Sequence, residues 1–332
     1  MQSSIIYSAK KIADYKYLRV VARLCLFLGL LLAIWYTLSK QEKNFSQLWV
    51  VVRQATDFNS WLGNLSLIWV IALVPLNWFL ETLKWSVLFP AEESLGKKFK
   101  QILFGVSLGL VIPRVAGDYL SRKSNTLTKP SSTYTTAIAY NRVSQAVVTY
   151  CIGLVGFIYI AGQSFSVNFW VILVSSIAAL GLFIGIWLNL ARIINQLSAW
   201  PVLKKFFLGS EEAKAINSSQ NAQTILLAAI RYGIFTLQYM LLLNWIGLGL
   251  PVLYMAAGVA ATFMLKSSLP VLNFISDLGS RELSALFVFG LLEADLSLVI
   301  AASLLLWLAN ILLPALVGAG LWLAKSRNYT TA

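Results

Sequence analysis

Histidine is absent from the 332-residue chain, and cysteine occurs only twice. The chain therefore lacks the commonest catalytic base and metal ligand of proteins. Cys25 and Cys151 lie within separate apolar stretches, where cysteine behaves as a small hydrophobic residue, so we expect neither a disulfide nor a metal site. The sequence contains no recognisable nucleophile–base pair and no phosphate-binding loop. It predicts no cofactor and no enzyme activity.

Charged residues are also scarce, at 12% of the chain against 58% hydrophobic residues. Soluble domains carry about 25% charged residues, and a soluble fold of this size has too little interior to bury so much apolar surface. The sequence therefore predicts an all-α polytopic membrane protein with one membrane domain over residues 1–332. The formal net charge of +13 is assigned to cytoplasmic loops and not to nucleic-acid binding.

Apolar runs of about 20 residues are the unit that a bilayer requires. Six such runs predict transmembrane helices: 18–38, 61–85, 132–160, 168–192, 222–248 and 296–324. The 18–38 run is too long for a signal peptide, so we expect it to be a retained first helix. Two more apolar stretches, 101–124 and 254–292, are interrupted by polar residues and leave short arms. They predict re-entrant hairpins, although two full crossings would return the chain to the same side equally well.

The basic residues fit this arrangement when both termini and the 193–221 connection are cytoplasmic. The order of elements is span, span, hairpin, span, and it occurs twice, over about 18–160 and 168–324. Each unit crosses the membrane three times, so the second unit is inverted relative to the first. Inverted repeats with broken helices near the bilayer midplane are a recurrent transporter architecture.

Ionisable residues inside a membrane are functional candidates by default. The predicted binding residues are Arg114, Asp118, Arg122, Arg142, Arg231, Lys266, Asp277, Arg281 and Glu282. Pro113, Gly117, Pro270 and Gly279 are the predicted hinges of the two hairpins. Cations outnumber acids in this set, broken helices expose backbone N–H groups, and arginine binds phosphate with two donors. The pattern favours an anionic lipid headgroup as the ligand.

Structural alternatives exist for the same residues. Arg114 with Asp118, and Arg281 with Glu282, would neutralise one another, and Asp118 would act as the N-cap of the returning arm. Arg142 and Arg231 would form an interhelical bond to a carbonyl or to an amide such as Gln238 or Asn141. For Glu81 and Lys84, which lie near the cytoplasmic end of a span, snorkelling to the interface is an adequate explanation.

The stretch 110–122 carries Pro113, then Gly117-Asp118, then Arg122, and the stretch 269–282 carries Pro270, Gly279 and Arg281-Glu282. In order, spacing and span pattern the chain resembles the lysylphosphatidylglycerol synthase transmembrane, or flippase-like, family over nearly its whole length. Two departures stand out: Asp277 occupies the place of a second glycine, and Asn141 precedes Arg142 where an acid is common.

The resemblance implies movement of a lipid with a polar head between the leaflets of a bacterial or archaeal cytoplasmic (inner) membrane. The expected partner is an anionic headgroup or a polyprenyl phosphate. We find no counterpart of the cytosolic aminoacyl-transferase domain of the full synthases, so lipid aminoacylation is not implied. Three alternatives remain open: a scaffold for a separate cytosolic transferase, a homo-oligomer, and a membrane-embedded enzyme whose base is one of Asp118, Asp277, Glu282 or Glu81.

Overall fold

The structure, a computed structural model, describes residues 61–89, 93–112, 114–123, 131–164, 169–198, 217–268 and 277–330. These residues form helices and no strand. The helices are, in chain order, α1 (Trp61–Leu88), α2 (Leu95–Val111), α3 (Arg114–Lys123), α4 (Ser131–Ser164), α5 (Phe169–Leu188), α6 (Leu190–Ser198), α7 (Ser218–Trp245), α8 (Val252–Ser267), α9 (Asp277–Gly290), α10 (Leu296–Trp307), a π-turn (Leu308–Leu312) and α11 (Leu313–Thr330).

Four segments of the described chain are long and apolar enough to cross a membrane, which indicates a membrane protein. They are Leu65–Leu88, Tyr134–Gly162, Ser218–Trp245 and Leu296–Ala324, and they coincide with four of the six predicted spans. The predicted span 18–38 lies outside the described residues.

The predicted span 168–192 corresponds to two helices, α5 and α6, which are separated only at Asn189. Asn189 Nδ2 donates to the carbonyl of Gly185 at 3.0 Å, a side-chain bond to the preceding turn that competes with regular helix. Helix α6 then continues to Ser198, into the segment predicted as the 193–221 connection. Most of that connection lies outside the described residues.

Helices α1 and α7 pack against each other along their length. Gln220 caps the start of α7 in a reciprocal capping box with Asn217, and its Nε2 also donates to the carbonyl of Val87 at 3.0 Å. At the other end of the pair, Gln238 Nε2 donates to the carbonyl of Val70 at 2.7 Å. The two helices are therefore antiparallel, and α7 begins where α1 ends.

Helices α2 and α3 form the first hairpin and fold closely onto each other. A Cβ atom on Gly117 would lie 2.9 Å from the Gly109 nitrogen and 3.0 Å from the Gly105 oxygen, so the two backbones meet where no side chain fits. Helix α3 has ten residues and covers about 15 Å, about half of the hydrocarbon thickness. This length agrees with the predicted short returning arm.

Helices α8 and α9 are the two arms of the second predicted hairpin and also contact each other. They contain 16 and 14 residues, or about 24 and 21 Å of helix. Helix α8 packs mainly on α4, where a Cβ atom on Gly156 would lie 2.7 Å from the carbonyl oxygen of Ala257. In a similar way α2 packs on α11, and Ser107 Oγ donates to the carbonyl of Ala315 at 2.6 Å.

Two apolar clusters lie on either side of the polar interior. One joins α1, α7, α8, α9 and α10 around Tyr239, Phe289 and Ile300, and the other joins α1, α2, α4 and α11 around Trp85, Tyr134 and Ile102. Large apolar side chains are also exposed on the outer faces, among them Ile68, Trp69, Val155 and Leu182. A membrane protein presents such faces to lipid.

Candidate functional site

A polar cavity of about 540 Å³ lies between the two hairpins. Helices α1, α2, α3, α4, α7, α8 and α9 and the π-turn contribute its lining. Of the nine predicted binding residues, seven line this cavity: Arg114, Asp118, Arg122, Arg142, Arg231, Lys266 and Arg281. Arg114 of the first hairpin and Arg281 of the second, which lie 167 positions apart in the sequence, thus share one cavity.

The charge of the lining is strongly unbalanced. Seven of the described lining residues are cationic and two, Glu81 and Asp118, are carboxylates, which leaves a formal excess of five positive charges. Buried charge is costly unless it is paired, so this cavity is suited to an anion.

Glu81 on α1 is the centre of the largest ionic cluster. Its Oε2 lies 3.2 Å from Nη1 of Arg231 and 3.3 Å from Nζ of Lys84, and its Oε1 lies 3.4 Å from Nη2 of Arg122. Asn141 Nδ2 donates to the same Oε1 at 2.6 Å. One carboxylate is therefore shared by three cations from α1, α3 and α7, which we call the Glu81 cluster.

The snorkelling expected of Glu81 and Lys84 is wrong. Their exposed fractions are 6% and 1%, and Lys84 Nζ also donates to Gln145 Oε1 at 3.3 Å. Both side chains line the cavity, and α2, α4 and α7 pack against α1. Sequence reasoning missed Glu81 and Lys84 as site residues, since their position near a span end favours the interface and the covering helices come from distant parts of the chain.

Arg122 and Arg231 hold their guanidinium groups against aromatic rings. The Arg122 guanidinium carbon lies 4.3 Å from the centroid of Trp85, and that of Arg231 lies 5.4 Å from Trp78 and 5.3 Å from Phe235. Cation–π contacts of this kind favour a positive charge that has been removed from water. The rings therefore fix the planes of both guanidinium groups beside the cavity.

Several donors in this region have no hydrogen-bond partner among the described residues. They are Nε and Nη1 of Arg122, Nε of Arg231 and Nε of Arg142, and all are buried. Arginine carries five N–H donors, and buried donors without an acceptor cost free energy. The cavity therefore has donor capacity that the protein's own carboxylates do not use.

Asp118 on α3 forms an ion pair with Nη2 of Arg142 on α4. Arg142 thus pairs with a carboxylate, whereas Arg231 pairs with Glu81 and also donates from Nη1 to the amide oxygen of Gln145 at 3.5 Å, an interhelical amide bond of the kind that the structural alternative described. The N-cap role suggested for Asp118 is wrong, because α3 begins at Arg114 and Asp118 is its fifth residue. Gly117 lies inside α3, where it permits close packing and does not act as the predicted hinge.

In the second hairpin, Arg281 and Glu282 form the ion pair that the structural alternative described. Nη2 of Arg281 lies 2.7 Å from Oε1 of Glu282, and Ser303 binds both side chains through its Oγ. The Gly279 nitrogen donates to Oε2 of Glu282 at 2.6 Å within α9. Gly279 has φ +99°, a left-handed conformation that favours glycine, so this predicted break residue is supported by its backbone.

The remaining predicted residues are Arg114, Lys266, Asp277, Pro113 and Pro270. Arg114 stands at the start of α3 and Lys266 in the last turn of α8, and both line the cavity. Asp277 begins α9, and its side chain is not among those described. Pro113 and Pro270 lie outside the described residues.

Asn310 is a further cavity residue that the sequence did not indicate, and Asn77 bonds to it. Asn77 Nδ2 donates to Asn310 Oδ1 at 3.1 Å, and Trp78 Nε1 donates to the carbonyl of Asn310 at 3.1 Å. Asn310 lies in the π-turn and lines the cavity, and π-bulges occur frequently at functional sites. A hydropathy pattern carries no signal for such a turn inside an apolar run.

Within the described residues, no group of three or more histidine, cysteine, aspartate or glutamate side chains is placed to hold a metal ion. Comparison with known proteins gives no assignment either. No protein-family model matches the chain, and no curated protein matches it significantly.

Proposed function

We propose that this protein is a flippase-like transporter that moves a lipid with an anionic headgroup between membrane leaflets. The observation that carries the proposal is the cavity between the hairpins, where seven cationic residues face two carboxylates. An anionic headgroup would supply the missing negative charge, while its acyl chains would stay in the bilayer beside the apolar outer faces. We assign no covalent chemistry to the site.

The predicted inverted repeat is part of this proposal, and the helix packing supports it. The proposed equivalences are α1 with α7, the α2–α3 hairpin with the α8–α9 hairpin, and α4 with the continuous α10–α11 segment. Under these equivalences the packing of α2 on α11 has its counterpart in the packing of α8 on α4, and α1 packs on its own counterpart α7. A pseudo-twofold axis through the α1–α7 contact would relate the pairs.

We also propose six spans with both termini cytoplasmic. The short arms favour re-entrant hairpins, because α3 covers only about half of the hydrocarbon thickness. With this topology one hairpin would enter from the cytoplasmic side and the other from outside, and both would reach the same cavity. A headgroup bound there would lie between the two leaflets, as alternating-access transport requires.

The experiment is a leaflet-translocation assay with the purified protein in liposomes that contain a fluorescent anionic lipid. We expect wild type to move the fluorophore to the inner leaflet, and Arg114→Gln and Arg142→Gln to slow this movement, because both arginines line the cavity and are partly exposed. Arg192→Gln is the matched control, because Arg192 is exposed on α6 and is not part of the lining.

Equal translocation by wild type, the two cavity variants and protein-free liposomes would overturn the proposal. A chemically altered lipid in the extracted membranes would instead indicate a lipid-modifying enzyme. The protein should be tested for monodispersity in each variant, so that loss of movement is read only from folded protein.

A further inference from the structure

We infer that the Glu81 cluster recognises a terminal phosphate group, a phosphomonoester that is dianionic at neutral pH, in preference to a singly charged phosphodiester. The inference rests on the proposed function and narrows its substrate class. It concerns Lys84, Arg122 and Arg231 around Glu81, and it can fail while transport of anionic lipids stands.

The local charge of the Glu81 cluster favours a dianionic ligand. Lys84, Arg122 and Arg231 all lie within 3.4 Å of a Glu81 carboxylate oxygen, so three formal positive charges share one negative charge. The residual charge of the cluster is +2. A phosphodiester brings one negative charge and leaves the cluster positive, whereas a phosphomonoester brings about two at neutral pH and neutralises it.

Burial makes this difference matter. The exposed fractions are 1% for Lys84, 2% for Arg122 and 8% for Arg231. Water and salt screen such groups weakly, so an uncompensated charge in this place is costly. A ligand that neutralises the residual charge of +2 on the cluster is therefore favoured over a ligand with half that charge.

The number of unused N–H donors in the cluster also favours a terminal phosphate. Nε and Nη1 of Arg122 and Nε of Arg231 are buried and have no hydrogen-bond partner among the described residues, and both arginines line the cavity. A terminal phosphate carries three oxygens that accept strong charge-assisted bonds. A phosphodiester has only two such oxygens, because the other two carry ester substituents.

Two other cations of the cavity each have a carboxylate of their own. Arg142 is paired with Asp118, and Arg281 is held by Glu282 and by the carbonyl and hydroxyl of Ser303. At the Glu81 cluster, by contrast, one carboxylate serves three cations. The cluster therefore has less negative charge for each cation than these two pairs.

The test is lipid binding by the purified full chain, measured by native mass spectrometry and by the shift in Tm. The two probes are phosphatidic acid, which ends in a phosphomonoester, and phosphatidylglycerol, a phosphodiester, with identical acyl chains. We expect phosphatidic acid to bind at least about tenfold more tightly at neutral pH, as charge-assisted bonds of this type support. At about pH 5 the phosphomonoester becomes a monoanion, since its second pKa is about 6, and the preference should collapse.

Arg122→Gln and Arg231→Gln should weaken binding of phosphatidic acid more than binding of phosphatidylglycerol and so reduce the preference, and Arg192→Gln should leave both affinities unchanged. Inorganic phosphate at the same concentration distinguishes the two sources of the group. We expect it to bind much more weakly than phosphatidic acid, and binding of equal strength would identify free phosphate as the ligand and overturn the lipid assignment.

Equal affinity for the two lipids in wild type would overturn the inference without reference to any variant. A preference that persists at about pH 5, or in folded Arg122→Gln and Arg231→Gln, would also overturn it. Neither result would affect the translocation assay, because both lipids are anionic. If the protein binds phosphatidic acid in preference to phosphatidylglycerol but translocates no lipid, the proposed transport function is overturned and the proposed phosphate site stands.

Discussion

Asn141 Nδ2 on α4 donates a hydrogen bond of 2.6 Å to Oε1 of Glu81 on α1. Asn141 precedes Arg142, at a position where the resembled family commonly carries an acid. Here the position supplies a neutral donor that orients the carboxylate of another helix. The negative charge of the cluster thus comes from Glu81, which faces Lys84, Arg122 and Arg231.

Replacing Glu81 by glutamine should destabilise the protein strongly. Removal of one member of a buried ionic cluster leaves uncompensated charge and costs about 3–5 kcal/mol, and here three cations lose their shared partner. We expect a clearly lower Tm for the detergent-solubilised protein.

Glu293→Gln is the control for this prediction, because the Glu293 residue is exposed. Surface charges contribute little to stability, and even exposed ion pairs contribute only about 0–1 kcal/mol. Similar losses of Tm in the two variants would show that Glu81 is not the centre of a stabilising cluster.

Asp118→Asn should increase the affinity for anionic lipid. The substitution removes the carboxylate that occupies Arg142 and adds one positive charge to the cavity. A unit charge at about 4 Å in a high dielectric contributes about 1 kcal/mol, or about fivefold in binding. Lipid retention in native mass spectrometry measures the effect, and Arg142→Gln should shift it in the opposite direction. Weaker retention by Asp118→Asn would indicate that Asp118 positions Arg142 for the ligand.

Gly117→Ala should separate the arms of the first hairpin. The new methyl group would meet backbone atoms of Gly109 and Gly105, which cannot rotate away, and overpacking of this kind costs about 1–3 kcal/mol. Gly162→Ala is the matched control, since a Cβ atom there meets nothing within 4 Å and alanine favours helix. Thermal unfolding should therefore show a loss of Tm for Gly117→Ala only. An unchanged Tm would mean that the arms lie further apart than described.

Gly279→Ala should be unfavourable for a different reason. At φ +99° a Cβ atom strains the backbone, by about 1–2 kcal/mol for the left-handed region, and the Gly279 N–H bond to Glu282 would be disturbed. Gly290→Ala provides the comparison in the same helix, because Gly290 has open space at its Cβ position. Chemical denaturation should rank Gly290→Ala above Gly279→Ala in stability, and the reverse order would contradict the backbone geometry.

Much of the fold follows from the sequence because apolar run length is a direct physical signal. Four predicted spans and the arms of both hairpins correspond to helices, since a run of about 20 apolar residues and its polar interruption are both visible in the chain. The turn at Asn189 was not predicted, because an apolar run on both sides of one asparagine gives no indication that the side chain will bond to the helix backbone.

Most of the charged residues of the site were predictable one by one, whereas of their pairings the sequence indicated Arg281 with Glu282 but not Arg142 with Asp118. Arg114, Arg122 and Arg281 were recognisable because charge is rare in this chain. Which carboxylate each arginine meets depends on how the hairpins dock on α1 and α4, and this information is not contained in local sequence. The same limit explains why Glu81, at the end of a span, was assigned to the interface.

Glycine contacts bind each hairpin to a helix from the opposite half of the chain. Cβ atoms on Gly153 and Gly156 of α4 would meet the carbonyl oxygens of Ala260 and Ala257 on α8 at 2.7 Å, and one on Gly318 of α11 would meet Ser107 Oγ on α2 at 2.6 Å. The described residues of the two halves are therefore packed into each other through these contacts. We expect two polypeptides produced by cutting the 193–221 connection to associate through the same contacts and to purify as one particle.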